Sequence, residues 1–105
     1  MATLIINAPK AQAAHGQKKS FESTLNSGIG DGYAITKPLV AQLQPGCRVV
    51  LLSKEQKRRA EGTLEKLVAT SKAKNGIQRY DVYIKDLAEI AYQGEPLNRN
   101  GVSVV

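Results

Sequence analysis

Apolar and polar residues alternate with a period of two in several parts of the chain, which predicts a protein built mainly of β-strands. The clearest case is Gln78–Lys85, in which Tyr80, Val82 and Ile84 would face one side of a sheet. Arg48–Ser53 is apolar on both faces, as expected of a central strand. The other predicted strands are 3–8, 33–35, 60–70, 87–92 and 101–105.

Turn and bulge signals separate these strands. The alternation within 60–70 breaks near Lys66-Leu67, where a β-bulge is expected. Asn75-Gly76 is a common hairpin turn signal, so 60–70 should pair with 78–85. Residues 26–32 contain three glycines but lack the third glycine position of the dinucleotide fingerprint. We therefore interpret them as an irregular turn rather than a phosphate-binding loop.

Two short helices are also predicted. Ser20 can cap a helix that continues through Leu25, with Glu22 in the favourable first turn. Thr36 and Pro38 indicate the start of a second helix of about two turns.

The chain of 105 residues fits one domain spanning 1–105. Five to six short strands with about two short helices predict a mostly β (α+β) fold, a small closed or partly open β-barrel. Residues 9–19 have little apolar surface to bury and are predicted to form a loop.

The charge is positive and unevenly distributed. Lys and Arg number 15 against 9 acidic residues, a net charge of +6. Residues 1–80 carry 13 basic and 5 acidic residues, whereas 81–105 carry 2 basic and 4 acidic residues. Such a field attracts polyanions, and nucleic acid is the expected one. A charge of this size also serves solubility alone, so that alternative stays open.

The residues that usually carry catalysis or bind metals are scarce. Cys47 is the only cysteine and His15 the only histidine, so neither an internal disulfide nor a four-ligand zinc site can form. We interpret Cys47 as a buried structural thiol and His15 as an exposed loop residue. No catalytic motif is present, and an enzyme would need a cleft assembled from carboxylates such as Asp31, Asp81, Asp86 or Glu89. We expect no enzyme activity and no cofactor.

The sequence favours a cytoplasmic protein. A single cysteine suits a reducing compartment. No apolar run approaches the length of a membrane span, so no membrane partner is expected. The N-terminal residues do not resemble a secretory signal.

The candidate nucleic-acid-binding residues combine a basic turn with a basic strand face. Single-stranded nucleic acid is bound by cations that neutralise phosphates and by aromatic rings that stack on bases. The predicted contacts are Lys54, Lys57, Arg58, Arg59, Arg79 and Tyr83. Two observations oppose this interpretation. The two hairpin turns would lie at opposite ends of the hairpins, so the cations need not form one continuous patch. Arg79 can also pair with Glu65 on a neighbouring strand instead of binding a phosphate.

Part of the chain resembles the PUA-like superfamily, which includes the EVE and ASCH domains. The resemblance rests on a short helix before Leu43-Gln-Pro-Gly46-Cys-Arg-Val49-Val-Leu51 and on the returning strand Arg59-Ala-Glu-Gly62-Thr-Leu64. The strand at 3–8 and the helix near 20–25 also occupy the expected places. This resemblance implies a small β-barrel that binds RNA or modified bases in DNA.

The same glycine-punctuated strands also resemble a KOW motif in an SH3-like barrel, as found in ribosomal and transcription-elongation proteins. That alternative fold likewise implies a nucleic-acid partner. A function of another class is a protein–protein interaction module. The segment that distinguishes the two functions is Gly101–Val105. It would either close the barrel or, in an interaction module, pair with a protein partner or a second copy of the chain.

Overall fold

The computed structural model describes residues 2–7, 21–53, 57–73, 75–92 and 102–104, with residue 31 described by its backbone alone. Most of these residues lie in strands, which confirms the predicted mostly β fold. The elements are β1 (Thr3–Asn7), α1 (Phe21–Ser27), β2 (Ile29–Ala34), α2 (Lys37–Val40), β3 (Arg48–Ser53), β4 (Arg58–Lys72), β5 (Gln78–Ile90) and β6 (Val102–Val104).

The six strands form one sheet in the order β2-β5-β4-β3-β1-β6. β1 and β3 are parallel, and all other neighbouring strands are antiparallel. β3 lies within the sheet, and Val49–Ser53 is buried throughout, as its apolar sequence predicts. The C-terminal strand β6 pairs with β1, with Ile5 opposite Ser103.

The core lies mainly on one face of this sheet. Side chains of directly opposed residues on neighbouring strands point to the same side of the sheet, so paired positions together form this core. Phe21 from α1 is fully buried in the same cluster. The buried strand residues that share this cluster are Leu4, Ile6, Tyr33, Val49, Leu51, Ala60, Leu64, Val82, Ile84 and Val102.

The sheet is not closed, because among the described residues no pairing joins its edge strands β2 and β6. It curves strongly, since Ala34 at the end of β2 and Val102–Val104 of β6 line the same cavity of about 410 Å³. We call this cavity the edge cleft. Residues of α2 and of the turn between β4 and β5 also line it, so they occupy the space in which the edges would have to pair.

The long β4–β5 hairpin bends at bulges. The register changes between Leu64 and Lys66, which confirms the bulge predicted near Lys66-Leu67. A second change lies beside Gly62, where a Cβ atom would stand 2.6 Å from Cγ2 of Ile84 and 2.9 Å from the carbonyl oxygen of Lys85. Glycine is therefore required at position 62 for the two strands to approach.

The prediction that 26–32 is irregular holds only at Gly28, because residues 26–27 complete α1 and residues 29–32 lie in a strand. Ile29–Ala34 forms β2, which pairs with β5 and is interrupted by a register shift between Gly30 and Tyr33. Gly32 has φ +69°, a conformation that glycine adopts without steric cost. The glycines thus permit a bulged edge strand rather than preventing a strand.

Several predicted boundaries also move. α1 continues to Ser27, beyond Leu25. The regular part of α2 is one turn, Lys37–Val40, rather than two. β5 continues to Ile90, so the separate strand predicted at 87–92 is not separate: its first four residues are the end of β5, and 91–92 lie beyond it. The loop prediction for 9–19 and the cap at Ser20 lie outside the described residues.

Candidate functional site

The structure describes five of the six residues predicted from the sequence, and it distributes them along the β4–β5 hairpin. Lys57 and Arg58 lie where β4 begins, with Lys57 exposed and in a left-handed conformation at φ +51°. Arg79 lies near the start of β5, close to the other end. Lys54 lies outside the described residues.

Arg58 is held by two carboxylates and a ring. Its Nε and one terminal nitrogen donate to both oxygens of Glu89 at 2.9 and 2.8 Å, and the other donates to Glu22 at 2.7 Å. The guanidinium lies 4.6 Å from the centroid of the Phe21 ring. The hydrogen bond to Glu89 and, to a smaller extent, the one to Glu22 raise the pKa of Arg58 above its ordinary value. The hydrogen bond from Arg58 lowers the pKa of Glu89. These contacts join α1 to both long strands.

Arg59 is directed to the other face of the sheet and is buried, with 7% of its surface exposed. It donates to Glu61 at 2.8 Å, and the second oxygen of Glu61 accepts from Arg48. An arginine this deeply buried lies outside the surface that a phosphate can reach.

Arg79 stabilises the bulge of β2. It donates to the carbonyl oxygen of Gly32 at 2.7 Å, while the N–H of Gly32 donates to Asp81 at 2.9 Å. Arg79 and Asp81 project from the same face of β5, so together they bind both polar groups of one peptide residue that the bulge removes from the ladder. Glu65 is not the partner of Arg79, because the register places it beside Ile84 and Tyr83.

Tyr83 lies on the outer face of β5 opposite Lys66 of β4. The ammonium of Lys66 is 4.8 Å from the centroid of the Tyr83 ring. The ring is half-buried, and the lysine covers part of the surface on which a base would stack.

The five predicted residues that the structure describes therefore do not make one cationic surface. Arg58, Arg59 and Arg79 each donate hydrogen bonds within the protein. Apart from Arg48, which is paired with Glu61, the exposed cations among the described residues are lysines instead. They are Lys37, Lys57, Lys66, Lys72 and Lys85.

Two of these lysines line one cavity of about 430 Å³, which we call the lysine groove. Lys37 and Lys72 are both exposed, and half-buried Tyr80 lies in the same wall. The complete lining among the described residues is Ile35, Thr36, Lys37, Lys72, Gly76, Ile77, Gln78 and Tyr80.

The pairing of β2 with β5 explains why Lys37 and Lys72 meet. Ile35 follows β2 and donates its N–H to the carbonyl oxygen of Gln78 at 3.2 Å, which holds the start of α2 beside the start of β5. Lys72 is opposite Gln78 on the other strand of the hairpin. Both lysines are thus held next to Gln78, although 35 positions separate them in the sequence.

The lysine groove is electropositive. No Asp or Glu among the described residues lines it. The four salt bridges between described residues all use an arginine, so neither Lys37 nor Lys72 is neutralised by a described partner. Such a cavity can bind an anionic group without first breaking an internal ion pair.

The groove continues into the edge cleft, because Thr36 and Ile77 line both cavities. The edge cleft is largely apolar, with Leu39, Val102 and Val104 in its wall. A charged depression and an apolar depression therefore adjoin at the open side of the sheet.

Sequence reasoning missed this site for a structural reason. The position of Lys72 beside the Asn75-Gly76 turn is visible in the sequence, and the turn itself is confirmed, with Gly76 at φ +84°. The partnership with Lys37 depends on β2, which the glycine-rich sequence of 26–32 concealed. A strand prediction for Ile29–Ala34, paired with β5, would have indicated it.

Other chemistry is limited in the described part of the chain. Cys47 is a buried free thiol, as predicted, and accepts a hydrogen bond from the N–H of Gln44 at 3.4 Å. No three His, Cys, Asp or Glu side chains of the described residues are placed to hold a metal ion. Neither described helix has the length and apolar character needed to cross a membrane. His15 lies outside the described residues.

Comparison of the chain with protein-family models, with curated proteins and with solved structures finds no match to any of them.

Proposed function

We propose that this domain binds single-stranded nucleic acid, RNA or DNA, without catalysis, and that Lys37 and Lys72 contact its phosphates. The observation that carries the proposal is the lysine groove, in which two exposed lysines share a cavity with an aromatic ring and with no described carboxylate. A net charge of +6 adds a long-range attraction for polyanions.

The shape of the groove favours a single strand over a duplex. Tyr80 is half-buried within a concave surface, and a base reaches such a ring only when it is unstacked from its neighbours. Gln78 lies in the same wall, but its side-chain N–H groups donate to the backbone carbonyls of Thr70 and Ser71. The lysines and the ring therefore match the phosphate and the base face.

The proposal is tested by fluorescence anisotropy with a labelled single strand of about ten nucleotides, a length within the usual site size. Changing both Lys37→Ala and Lys72→Ala should weaken binding about tenfold at low salt, because two phosphate contacts are lost. It should also lower the slope of log K against log salt by about 1.4, since each phosphate neutralised on a single strand contributes about 0.7.

The matched control removes the same charge from the outer face of the sheet. Lys66→Ala with Lys85→Ala should change affinity much less, because these lysines act only through the long-range field. Equal losses in the two double variants would assign binding to net charge and not to the groove. No measurable binding of the native protein at about 50 mM salt, where such complexes are strong, would refute the proposal.

A second candidate function is a docking site for a protein partner or a second copy of the chain. β4 continues to Lys72, whereas its pairing with β3 ends at Thr63, so 65–72 is hydrogen-bonded to a described strand on one side only. Exposed strand edges pair with other chains. Light scattering across a concentration series tests this function, and a constant monomer mass with no captured partner counts against it.

A further inference from the structure

The edge cleft is a second cavity beside the lysine groove, and the proposed function leaves it without an occupant. Its volume of about 410 Å³ lies between the last residue of β2, Ala34, and the edge strand β6. The apolar side chains in its wall include Leu39, Ile77 and Val104. No acidic residue among those described lines it.

Polar groups in the cleft remain available for a ligand. Thr36 is the N-cap residue of α2, yet its side chain makes no capping hydrogen bond. The side-chain oxygen of Asn75 accepts the N–H of Ile77 at 3.1 Å. That bond orients the amide and leaves its two N–H donors for another acceptor.

This combination matches a nucleobase. A base has two apolar faces, which aliphatic side chains cover, and an edge of carbonyl and nitrogen groups that hydroxyl and amide groups can bind. Thr36 and Ile77 are shared with the lysine groove, so a base in the cleft is adjacent to a phosphate held by Lys37. The positive charge of the lysine groove favours a phosphate there, so the group expected in the adjoining edge cleft is a base of the same strand.

We propose that the edge cleft accepts one unstacked base of a single strand whose phosphates are bound in the lysine groove. This inference rests on the proposed function and adds a second base contact to the one proposed at Tyr80. The domain then distinguishes a strand that carries bases from a bare sugar-phosphate chain of equal charge.

The test compares an intact deoxyoligonucleotide with an abasic one of the same length and charge. The native protein should bind the intact strand about tenfold more tightly, which corresponds to the contacts of one base. Leu39→Gln, which makes the cleft wall polar without changing charge, should remove most of this difference and leave the affinity for the abasic strand unchanged.

The matched control is Leu43→Gln. Leu43 packs against the core as Leu39 does, but it does not line the cleft, so its change should leave the preference for the intact strand intact. Tyr80 is retained in both variants, which separates the cleft from stacking in the groove. Thermal unfolding of each variant verifies that it is folded.

The outcomes separate the two proposals. If neither strand binds the native protein, the proposed function fails. If both strands bind the native protein equally, phosphate binding in the lysine groove stands, whereas base stacking on Tyr80 and the base-accepting cleft are both refuted, whether or not Leu39→Gln folds. If Leu39→Gln weakens both strands by the same factor, or if Leu43→Gln removes the preference as well, the cleft does not select the base.

Discussion

Arginine and lysine have different places in the described part of this molecule. Each described arginine donates hydrogen bonds within the protein, as Arg58 does to Glu89 and Arg79 does to Gly32. The planar guanidinium can bind two acceptors at once and stack on a ring, whereas the ammonium of lysine is more strongly hydrated. The arginines therefore stabilise the fold, and the lysines leave a positive surface.

Arg58→Ala should destabilise the protein by about 1–2 kcal/mol, because it removes a bidentate ion pair, a second carboxylate contact and the contact with the Phe21 ring. Urea unfolding measures the change. Lys57→Ala removes the same charge from the adjacent exposed position and should change stability by less than about 0.5 kcal/mol. A stable Arg58→Ala protein with lowered affinity for oligonucleotides would instead return Arg58 to the binding surface.

The pair between Arg58 and Glu89 should make stability depend on pH. The pKa of Glu89 is lowered in the folded protein, so its contribution is fully present above the ordinary glutamate pKa of about 4.3. That contribution is lost as the pH falls through the lower folded value. Unfolding free energies measured between neutral and acid pH should therefore fall more steeply in the native protein than in Glu89→Gln. Parallel pH profiles would show that the pair contributes nothing.

Gly62→Ala should be among the most damaging single methyl additions. Its Cβ would meet backbone atoms of Lys85 and Leu87 at 2.9 and 3.1 Å, so two strands must separate. We expect a loss of more than about 2 kcal/mol in the free energy of unfolding. Gly46→Ala has open space and only the cost of its φ of +98°, so it should lose about 1 kcal/mol. Equal losses would show that the close approach is not tight.

At the scale of elements, β2 depends on side chains far away in the sequence. The N–H of Gly32 is bound by Asp81, which is 49 residues later. Asp81→Ala should cost about 1–3 kcal/mol, because it leaves a partly buried N–H without this acceptor. Hydrogen exchange should become faster at the amides of β2 first. Asp81→Asn keeps a side-chain oxygen and should restore most of the protection; if it does not, the carboxylate charge rather than the hydrogen bond holds the bulge.

Most strands were predictable because their signals are local. The apolar run of β3, the alternation in β5 and the Asn75-Gly76 turn can each be recognised from a few consecutive residues. β2 was missed because glycine and aspartate oppose strand formation locally, whereas Arg79 and Asp81 stabilise its bulge from another strand. The residues of β2 and their neighbours in the sequence therefore do not reveal that this strand is stabilised.

The bulges of β4 also bear on its exposed edge. The register shifts between Ala69 and Lys72, and the side-chain amide of Gln78 donates to the carbonyl oxygens of Thr70 and Ser71 there. A bulge and exposed lysines are common ways in which proteins prevent edge strands from pairing with other chains. These features oppose pairing of the β4 edge with another chain. The proposal of a protein partner is therefore weaker than the proposal of nucleic acid in the lysine groove.

At the scale of the whole molecule, the candidate site is a product of topology. The sequence indicates a basic protein, but it does not show that Glu22 and Glu89 bind Arg58 or that Lys37 lies near Lys72. These relations join residues between 31 and 36 positions apart. The positive net charge is thus visible in the sequence, whereas the location of the candidate site is not.

The open sheet and the charge distribution meet at one side of the molecule. The edge cleft lies between β2 and β6, and the lysine groove adjoins it through Thr36 and Ile77. A closed barrel of these strands would have no such opening. Incomplete closure of the sheet therefore leaves the opening in which we propose that a strand binds.

The most direct measurement is a titration of the ¹⁵N-labelled protein with a short single-stranded oligonucleotide, followed by amide NMR shifts. We expect the largest shifts at 35–37 and at 72–73 and 75–78, with small shifts at Lys66, Tyr83 and Lys85 on the outer face. Shifts concentrated on that outer face or around Arg58, with none at Lys37 and Lys72, would refute binding in the lysine groove.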